Sequence, residues 1–178
     1  MSSVRAAALD ARRRLLALDE ATLWKVRGFE TPLTTRWMRT ITHLGDAPVW
    51  CAIALVLWSA GGASADVGSL VASSAGLATA ISQAAKRSWR RRRPNKGIQG
   101  FVALVENPDS FSFPSGHTAA AFAVAVAVTG QSSSLVGLAW GFASAVAISR
   151  VYLGAHYPLD VAVGALLGCL AGLACHLI

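Results

Sequence analysis

The sequence predicts an all-α fold: a polytopic membrane helical bundle of about five transmembrane helices, preceded by an amphipathic interfacial helix. The first observation is composition, since hydrophobic residues make up 54% of the 178-residue chain and charged residues only 14%. Such a balance disfavours a soluble globule. The second is charge distribution, because nearly all charged residues fall within 1–46 and 86–109. The third is that long uncharged apolar stretches alternate with short polar loops, as in helical membrane proteins.

The chain length fits a single domain. We divide this domain into an amphipathic N-terminal region, 1–45, and a transmembrane core, 46–178. The three cysteines lie in apolar segments and lack the paired spacing of a zinc site, so we interpret them as small buried hydrophobic residues.

The N-terminal region begins with a predicted amphipathic helix over 3–27. Leu9, Leu16 and Leu23 can share one apolar stripe, and several arginines and lysines supply basic charge. A helix of this kind commonly lies in the membrane interface. Packing against the rest of the domain is the alternative. The Thr31-Pro32 step then breaks the chain before a second short segment, 34–43.

Five apolar segments follow that fit spanning helices, with approximate limits 46–60, 67–86, 116–130, 134–151 and 158–177. The first and third are short for a hydrocarbon core of ~30 Å, which usually takes ~20 helical residues, so flanking residues are expected to extend them. Small residues are dense in the last three segments and would allow close helix approach in lipid. Because spans alternate in direction, the ends of the second and fourth and the starts of the third and fifth lie on one side of the membrane.

Three polar motifs stand at those same ends: Lys86-x6-Arg93-Pro94, then Pro114-Ser115-Gly116-His117, then Ser149-Arg150-x5-His156-x3-Asp160. Each contains cations, a helix start, or an imidazole with a nearby carboxylate. The topology therefore predicts that the three motifs converge on a single site.

The first motif supplies two cations. Lys86 and Arg93 are seven residues apart, about two helical turns, so they point the same way if the helix continues. Two cations on one face can bind a phosphate, the arginine through its fork and the lysine as a point charge. The neighbouring arginines are interpreted as topogenic or lipid-headgroup charges: Arg87, Arg90, Arg91 and Arg92.

The second motif is a predicted helix start. Ser115 suits the N-cap position, and Gly116 permits close approach to the free amides of the first turn. Such amides form an anion-binding site. His117 would then lie in the first turn beside a bound phosphate.

The third motif places His156 and Asp160 four residues apart, with Pro158 suited to the first position of the last helix. A carboxylate that accepts from one imidazole nitrogen leaves the other nitrogen available as a nucleophile. Arg150 is the only lysine or arginine after residue 109, and a membrane-embedded arginine is costly enough to indicate a function.

In order and spacing, the three motifs resemble the tripartite signature of the type 2 phosphatidic acid phosphatase family, within the superfamily of vanadium haloperoxidases and acid phosphatases. The resemblance implies that His156 attacks phosphorus and forms a phosphohistidine, that Asp160 orients it, and that His117 protonates the leaving oxygen. It also implies a set of phosphate-binding groups: Lys86, Arg93, Arg150 and the amides of Ser115 and Gly116. No metal or cofactor is expected, because cations take that place and the sequence contains no carboxylate cluster.

The implied activity is that of an integral membrane lipid phosphate phosphatase, which hydrolyses a phosphomonoester or diphosphate of a phospholipid or polyprenyl lipid. The expected partner is the lipid phosphate substrate in a bacterial inner or cell membrane; nucleic acid is not expected, and the oligomeric state is open. One alternative is a lipid phosphotransferase of the same family, in which another hydroxyl replaces water. A non-enzymatic basic membrane-surface protein is the other.

The sidedness of the site follows from basic residues. All sixteen lysines and arginines lie on the active-site side of the predicted topology, and the opposite loops, near 61–66 and 131–133, carry none. The positive-inside rule then places the site on the cytoplasmic face. This cytoplasmic placement differs from what the resemblance would imply for undecaprenyl diphosphate phosphatases, whose active sites face the periplasm.

Overall fold

The structure, a computed structural model, describes residues 2–107, 109–131 and 134–177. Its regular structure is helical, which confirms the predicted all-α class. The helices in this part of the chain are α1 (Ser2–Arg27), α2 (Pro32–Leu44), α3 (Ala47–Ser59), α4 (Gly62–Trp89), α5 (Pro94–Gly97), α6 (Gly116–Thr129), α7 (Val136–Tyr152) and α8 (Pro158–His176).

The helix limits lie close to the predicted segments, with the largest difference at α4, which begins five residues before the predicted 67. The positive φ angles of Gly61 and Gly62, 73° and 55°, turn the chain immediately after α3 and allow α4 to start at once. Of the loop predicted around 131–133, residues 132 and 133 lie outside the described residues.

Among the described helices, α8 alone is long and apolar enough to cross a membrane by length and composition. The pair α2 and α3, bent by 53°, would count as a second if it forms one broken span. Helices α6 and α7 are apolar but shorter. The count of five spans therefore stays a prediction.

Helix α6 is the centre of the bundle and packs against α8, α4 and α7. Glycines on α8 bring it against the backbone of α6: a Cβ atom at Gly168 would lie 2.2 Å from the carbonyl oxygen of Ala119, and one at Gly164 would lie 2.6 Å from that of Ser115. The predicted close approach of small residues is thus confirmed, and it fixes the start of α6 against the start of α8.

Helix α1 packs against the rest of the domain, as in one of the two alternatives considered for it, and its location in a membrane interface stays a prediction. Its C-terminal half is docked, since Leu23 is buried against Phe101 and Tyr157. Leu9 in its N-terminal half and Leu18 near its middle are exposed, as they would be in an interfacial helix.

The three motifs meet at one end of the bundle, as the topology predicts. The amide of Ser115, at the start of α6, donates to the carbonyl oxygen of Asp160 in the first turn of α8 at 2.9 Å. Arg93, just after α4, donates to the carbonyl oxygen of Ala155, between α7 and α8, at 2.7 Å. The chain thus brings the polar ends of four helices together.

Candidate active site

His156 lies at the centre of this site, in the turn between α7 and α8, and is almost fully buried. Its Nδ1–H donates to the carbonyl oxygen of Ser112 at 2.6 Å. This bond leaves the lone pair on Nε2, which lies 3.3 Å from a terminal nitrogen of Arg93. Burial first, and then nearby positive charges, hold the pKa of His156 well below its ordinary value of 6.5. The imidazole is therefore neutral, as a nucleophile requires.

Asp160 is fully buried behind His156. Its Oδ2 accepts from the amide of Tyr157 at 3.0 Å and lies 3.8 Å from Nδ1 of His156. That separation exceeds hydrogen-bonding distance, so the expected direct carboxylate–imidazole hydrogen bond is absent. The carbonyl of Ser112 sets the tautomer instead, and Asp160 contributes a negative charge beside the ring.

Lys86 and Arg93 do converge, but not along a continuous helix as expected. Helix α4 ends at Trp89, Arg90 takes a left-handed conformation, and Arg93 becomes the extended N-cap of α5. Both cations nevertheless bind one carboxylate, that of Asp109. Lys86 Nζ donates to its Oδ2 at 2.5 Å, and Arg93 donates to its Oδ1.

Arg150 enters the same site from the end of α7 and is buried. Its terminal nitrogens donate to Thr42 Oγ1 at 2.6 Å and to Asn107 Oδ1 at 2.9 Å. Arg93 donates to the same Asn107 oxygen at 3.0 Å. In the described part of the chain, Nε of Arg150 is buried without a hydrogen-bond partner. Lys86, Arg93 and Arg150 are hereafter called the cation cluster.

His117 lies in the first turn of α6, as predicted, and has a carboxylate partner that sequence reasoning did not identify. Its Nε2 is 2.5 Å from Oδ1 of Asp46, the N-cap of α3. The other oxygen of Asp46 is 3.1 Å from Nδ1 of His43. Partial burial opposes ionisation of Asp46, but hydrogen bonds from the two histidines outweigh it and lower its pKa. His117 is thus held by an ionised carboxylate.

The predicted anion-binding role of Ser115 needs correction. Ser115 is the N-cap of α6, and its hydroxyl pairs with Thr118. Its amide, however, is committed to the carbonyl oxygen of Asp160, so it does not face a ligand. Gly116 does line the site, so it is the residue through which the N-terminal end of α6 reaches that site.

A cavity of about 400 Å³ lies beside these groups, although Arg93 and His156 are not part of its wall. Lys86, Arg150, His117, Gly116, Asp46 and Asp109 all contribute to its wall. Cations, an imidazole and a helix start thus surround one space large enough for a phosphoryl group and the atoms attached to it. Among the described residues, no group of three or more His, Cys, Asp or Glu side chains could hold a metal ion.

Arg91 is the clearest case that sequence reasoning missed. We interpreted it as a topogenic or headgroup charge, yet its guanidinium binds Asp160 at 2.7 Å and Asp19 at 2.6 Å. No spacing rule separates Arg91 from its neighbours in the arginine run. Asp46 and Asp109 were missed for a related reason, because single acids in loops carry no periodic signal.

This chain is similar in sequence to a known protein family and to proteins within it. The family model described as "PAP2 superfamily" matches residues 68–178. A decaprenylphosphoryl-5-phosphoribose phosphatase of Mycobacterium tuberculosis is 33% identical over 145 residues, which cover 75% of this chain and 74% of that protein.

Two solved structures share the fold. A PAP2-type phosphatidylglycerolphosphate phosphatase from Bacillus subtilis is 27% identical, with a TM-score of 0.76 over 92% of this chain and 85% of the other. The fold of Aquifex aeolicus LpxE gives a TM-score of 0.78 at 24% identity, over 90% of this chain and 96% of the other.

Proposed function

Because the chain belongs to the PAP2 superfamily and is a phosphatase of that family, we propose that it is an integral membrane lipid phosphate phosphatase acting through a phosphohistidine. The substrate is a phosphomonoester or diphosphate of a phospholipid or a polyprenyl lipid. The observation that carries this proposal is the arrangement of His156, whose Nδ1–H is bound to Ser112 while Nε2 faces Arg93. A neutral imidazole with its lone pair aimed at a cation cluster is suited to attack phosphorus.

The cation cluster supports the phosphoryl assignment. Three buried cations come together from separate parts of the chain: Lys86 and Arg150 line the cavity, and Arg93 is joined to them through Asp109 and Asn107. Isolated buried charges are too costly to persist without anionic partners. Asp109 and Asn107 supply acceptors to them, but Nε of Arg150 remains a buried donor with no partner among the described residues. A transferring phosphoryl group offers three equatorial oxygens to such donors.

The proposed reaction has two displacements. Nε2 of His156 attacks phosphorus, the bond from phosphorus to the lipid oxygen breaks, and that oxygen takes a proton from His117. Water then attacks the phosphohistidine and gives a proton to His117, the phosphorus–nitrogen bond breaks, and inorganic phosphate leaves. Asp46 holds His117 for both proton transfers, and the cation cluster stabilises the charge on the phosphoryl oxygens.

The lipid assignment is supported by the apolar character of the chain and by its relatives. The mycobacterial relative acts, by its name, on a decaprenyl-linked phosphoribose, and the B. subtilis structure is of a phosphatidylglycerolphosphate phosphatase. A bundle of five spans in a bacterial inner or cell membrane would place the cavity at the headgroup level. The 1–178 chain then forms one catalytic domain.

We place the active site on the cytoplasmic face, on the basis of the lysine and arginine distribution. In a variant whose native cysteines are replaced, Ser110→Cys should resist impermeant thiol reagents in intact cells and react after permeabilisation. A reporter fused after Ile178 should behave as extracytoplasmic. Labelling of Ser110→Cys in intact cells would reverse the orientation and favour a periplasm-facing polyprenyl diphosphate phosphatase.

The function is tested by phosphate release from a panel of lipid monophosphates and diphosphates by the purified full chain. His156→Ala should abolish release, whereas His176→Ala, which changes an exposed histidine outside the motifs, should not. Substrate labelled in the phosphoryl group should leave an acid-labile, base-stable label on the wild type and none on His156→Ala. Normal turnover by His156→Ala would contradict the mechanism.

Metal independence and the acceptor are tested in the same assay. Activity should survive a strong chelator and be inhibited by vanadate, which mimics pentacoordinate phosphorus. Loss on chelation that magnesium or zinc restores would show that a metal is required. Transfer of the label to an added lipid or sugar alcohol, in place of inorganic phosphate, would indicate a phosphotransferase.

A further inference from the structure

Arg91 occupies an enclosed position within an arginine run that is otherwise largely exposed. One terminal nitrogen donates to Asp160 Oδ1 at 2.7 Å and the other to Asp19 Oδ2 at 2.6 Å. The guanidinium carbon lies 3.9 Å from the ring centroid of Tyr157. Its side chain is 19% exposed, whereas the neighbouring Arg90 and Arg92 are exposed residues. A guanidinium fixed by two carboxylates and an aromatic face is not available to lipid headgroups.

The backbone of Arg91 reaches the nucleophile by a second path. Its carbonyl oxygen accepts from the amide of Ser112 at 2.8 Å. The carbonyl of Ser112 in turn accepts from Nδ1 of His156 at 2.6 Å. Arg91 therefore contacts both groups that surround the non-reacting side of His156, the Ser112 peptide and the Asp160 carboxylate.

Asp19 completes this arrangement from α1. Its second carboxylate oxygen, Oδ1, accepts from the amide of Leu159 at 2.8 Å, which is a first-turn amide of α8. Asp19 is only 5% exposed, although it lies on a helix whose N-terminal half is solvent-exposed. One carboxylate thus satisfies an unpaired amide at the start of α8 and holds Arg91.

We propose that Arg91 is a positioning residue for His156 and that Asp19 makes helix α1 part of the catalytic apparatus. The inference rests on the proposed function, because it has Arg91 support His156, the residue that accepts the phosphoryl group. Buried carboxylates persist when they are paired, and Arg91 is the cation shared by Asp19 and Asp160. Without it, Asp160 would be a buried charge beside His156 and would draw the imidazole away from its bond to Ser112.

The expected signature is a change in kcat without a change in KM. Arg91 contacts carboxylates and not the cation cluster. By analogy with the partners that orient metal-binding histidines, Arg91→Ala should lower kcat about ten- to hundredfold. KM should stay within about twofold. Arg91→Lys, which keeps the charge but not the two-sided fork, should recover part of the rate. Arg92→Ala is the matched control and should match the wild type.

The role of α1 has its own matched pair. Asp19→Asn removes the charge that holds Arg91 while preserving size, and it should reproduce part of the loss in kcat. Asp10→Asn removes an exposed acid of the same helix that, among the described residues, pairs with exposed Arg14, and it should leave kcat unchanged. Melting temperatures in detergent, measured for all variants, separate positioning from unfolding.

A double-mutant cycle provides the decisive test. If Arg91 acts through Asp160, then Arg91→Ala should add little further loss of kcat to Asp160→Asn. Fully additive losses, or a rise in KM equal to the fall in kcat, would overturn the inference. Wild-type kcat for Arg91→Ala would also overturn it while leaving the proposed function intact. Failure of the wild type to release phosphate from any lipid in the panel would instead refute the proposed function.

Discussion

Lys86 donates to the carboxylate of Asp109 at 2.5 Å, so a cation assigned to phosphate is held by an acid of the same chain. Arg93 binds the other oxygen of that carboxylate. Partial burial opposes ionisation of Asp109, but hydrogen bonds from these two cations outweigh it and place its pKa below the ordinary range. In the proposed mechanism, a phosphoryl group would therefore compete with this ionised carboxylate for Lys86 and Arg93.

Asp109→Asn should lower the inhibition constant for vanadate and the KM for substrate. Hydrogen bonds to charged groups contribute roughly 1.5–3 kcal/mol, so a change of about tenfold or more is expected when the competing charge is removed. Glu106→Gln, at an exposed acid of the same segment, controls for the loss of one negative charge. Equal effects of the two variants would indicate general electrostatics rather than competition for the cations.

Asp46→Asn should slow the reaction, because it removes the ionised partner of His117. General acid–base catalysis contributes about 10²–10⁴, and loss of the group that orients the histidine should remove about ten- to hundredfold of kcat. His43→Gln alters only the other oxygen of Asp46 and should stay within about twofold of wild type. Steady-state kinetics on one lipid phosphate measure both, and equal losses would contradict a specific role for the Asp46–His117 pair.

Gly168→Ala should destabilise the bundle by about 1–3 kcal/mol or more, since the added Cβ would lie 2.2 Å from the backbone oxygen of Ala119. Gly141→Ala is the matched control, because a Cβ at that helical glycine meets nothing within 4 Å. Melting temperatures in detergent should fall for the first variant and not for the second. An unchanged melting temperature for Gly168→Ala would show that α6 and α8 are less closely packed.

The buried neutral His156 should make the protein sensitive to acid. Its folded pKa lies well below the ordinary 6.5, so as pH falls below 6.5 the unfolded chain binds a proton that the folded chain excludes. The stability that depends on neutral His156 is therefore present above pH 6.5 and is lost as pH falls toward the folded pKa.

Replacing this group should reduce the acid sensitivity. The drop in melting temperature between pH 7.5 and about 5.5 should be smaller in His156→Asn than in the wild type. His176→Asn changes an exposed histidine and should keep the wild-type drop. If the melting temperature of His156→Asn fell as much as that of the wild type, another group would be responsible for the acid sensitivity in this range.

Much of the fold could be predicted because its signals are local. Apolar stretches, Pro32 and Pro158 at helix starts, and Ser115 at an N-cap each act within a few residues, and the helices lie close to the predicted segments. The end of α4 was harder to predict, because a helix that continues to Arg93 satisfies the same local preferences. Contacts with Asn107 and Asp109, and not helix propensity, determine where Arg93 lies.

The sequence by itself determined the helical class and the order of the motifs, because apolar segments and polar motifs are local signals. The resemblance of those motifs to a known family then pointed to His156, His117 and the cation cluster. Only the tertiary structure decided which acid serves which base. Asp46, Asp109 and Asp19 reach their partners across 71, 23 and 72 residues of chain. Such contacts depend on how helices pack and where loops return, so buried charges find their partners in space and leave no periodic trace in the sequence.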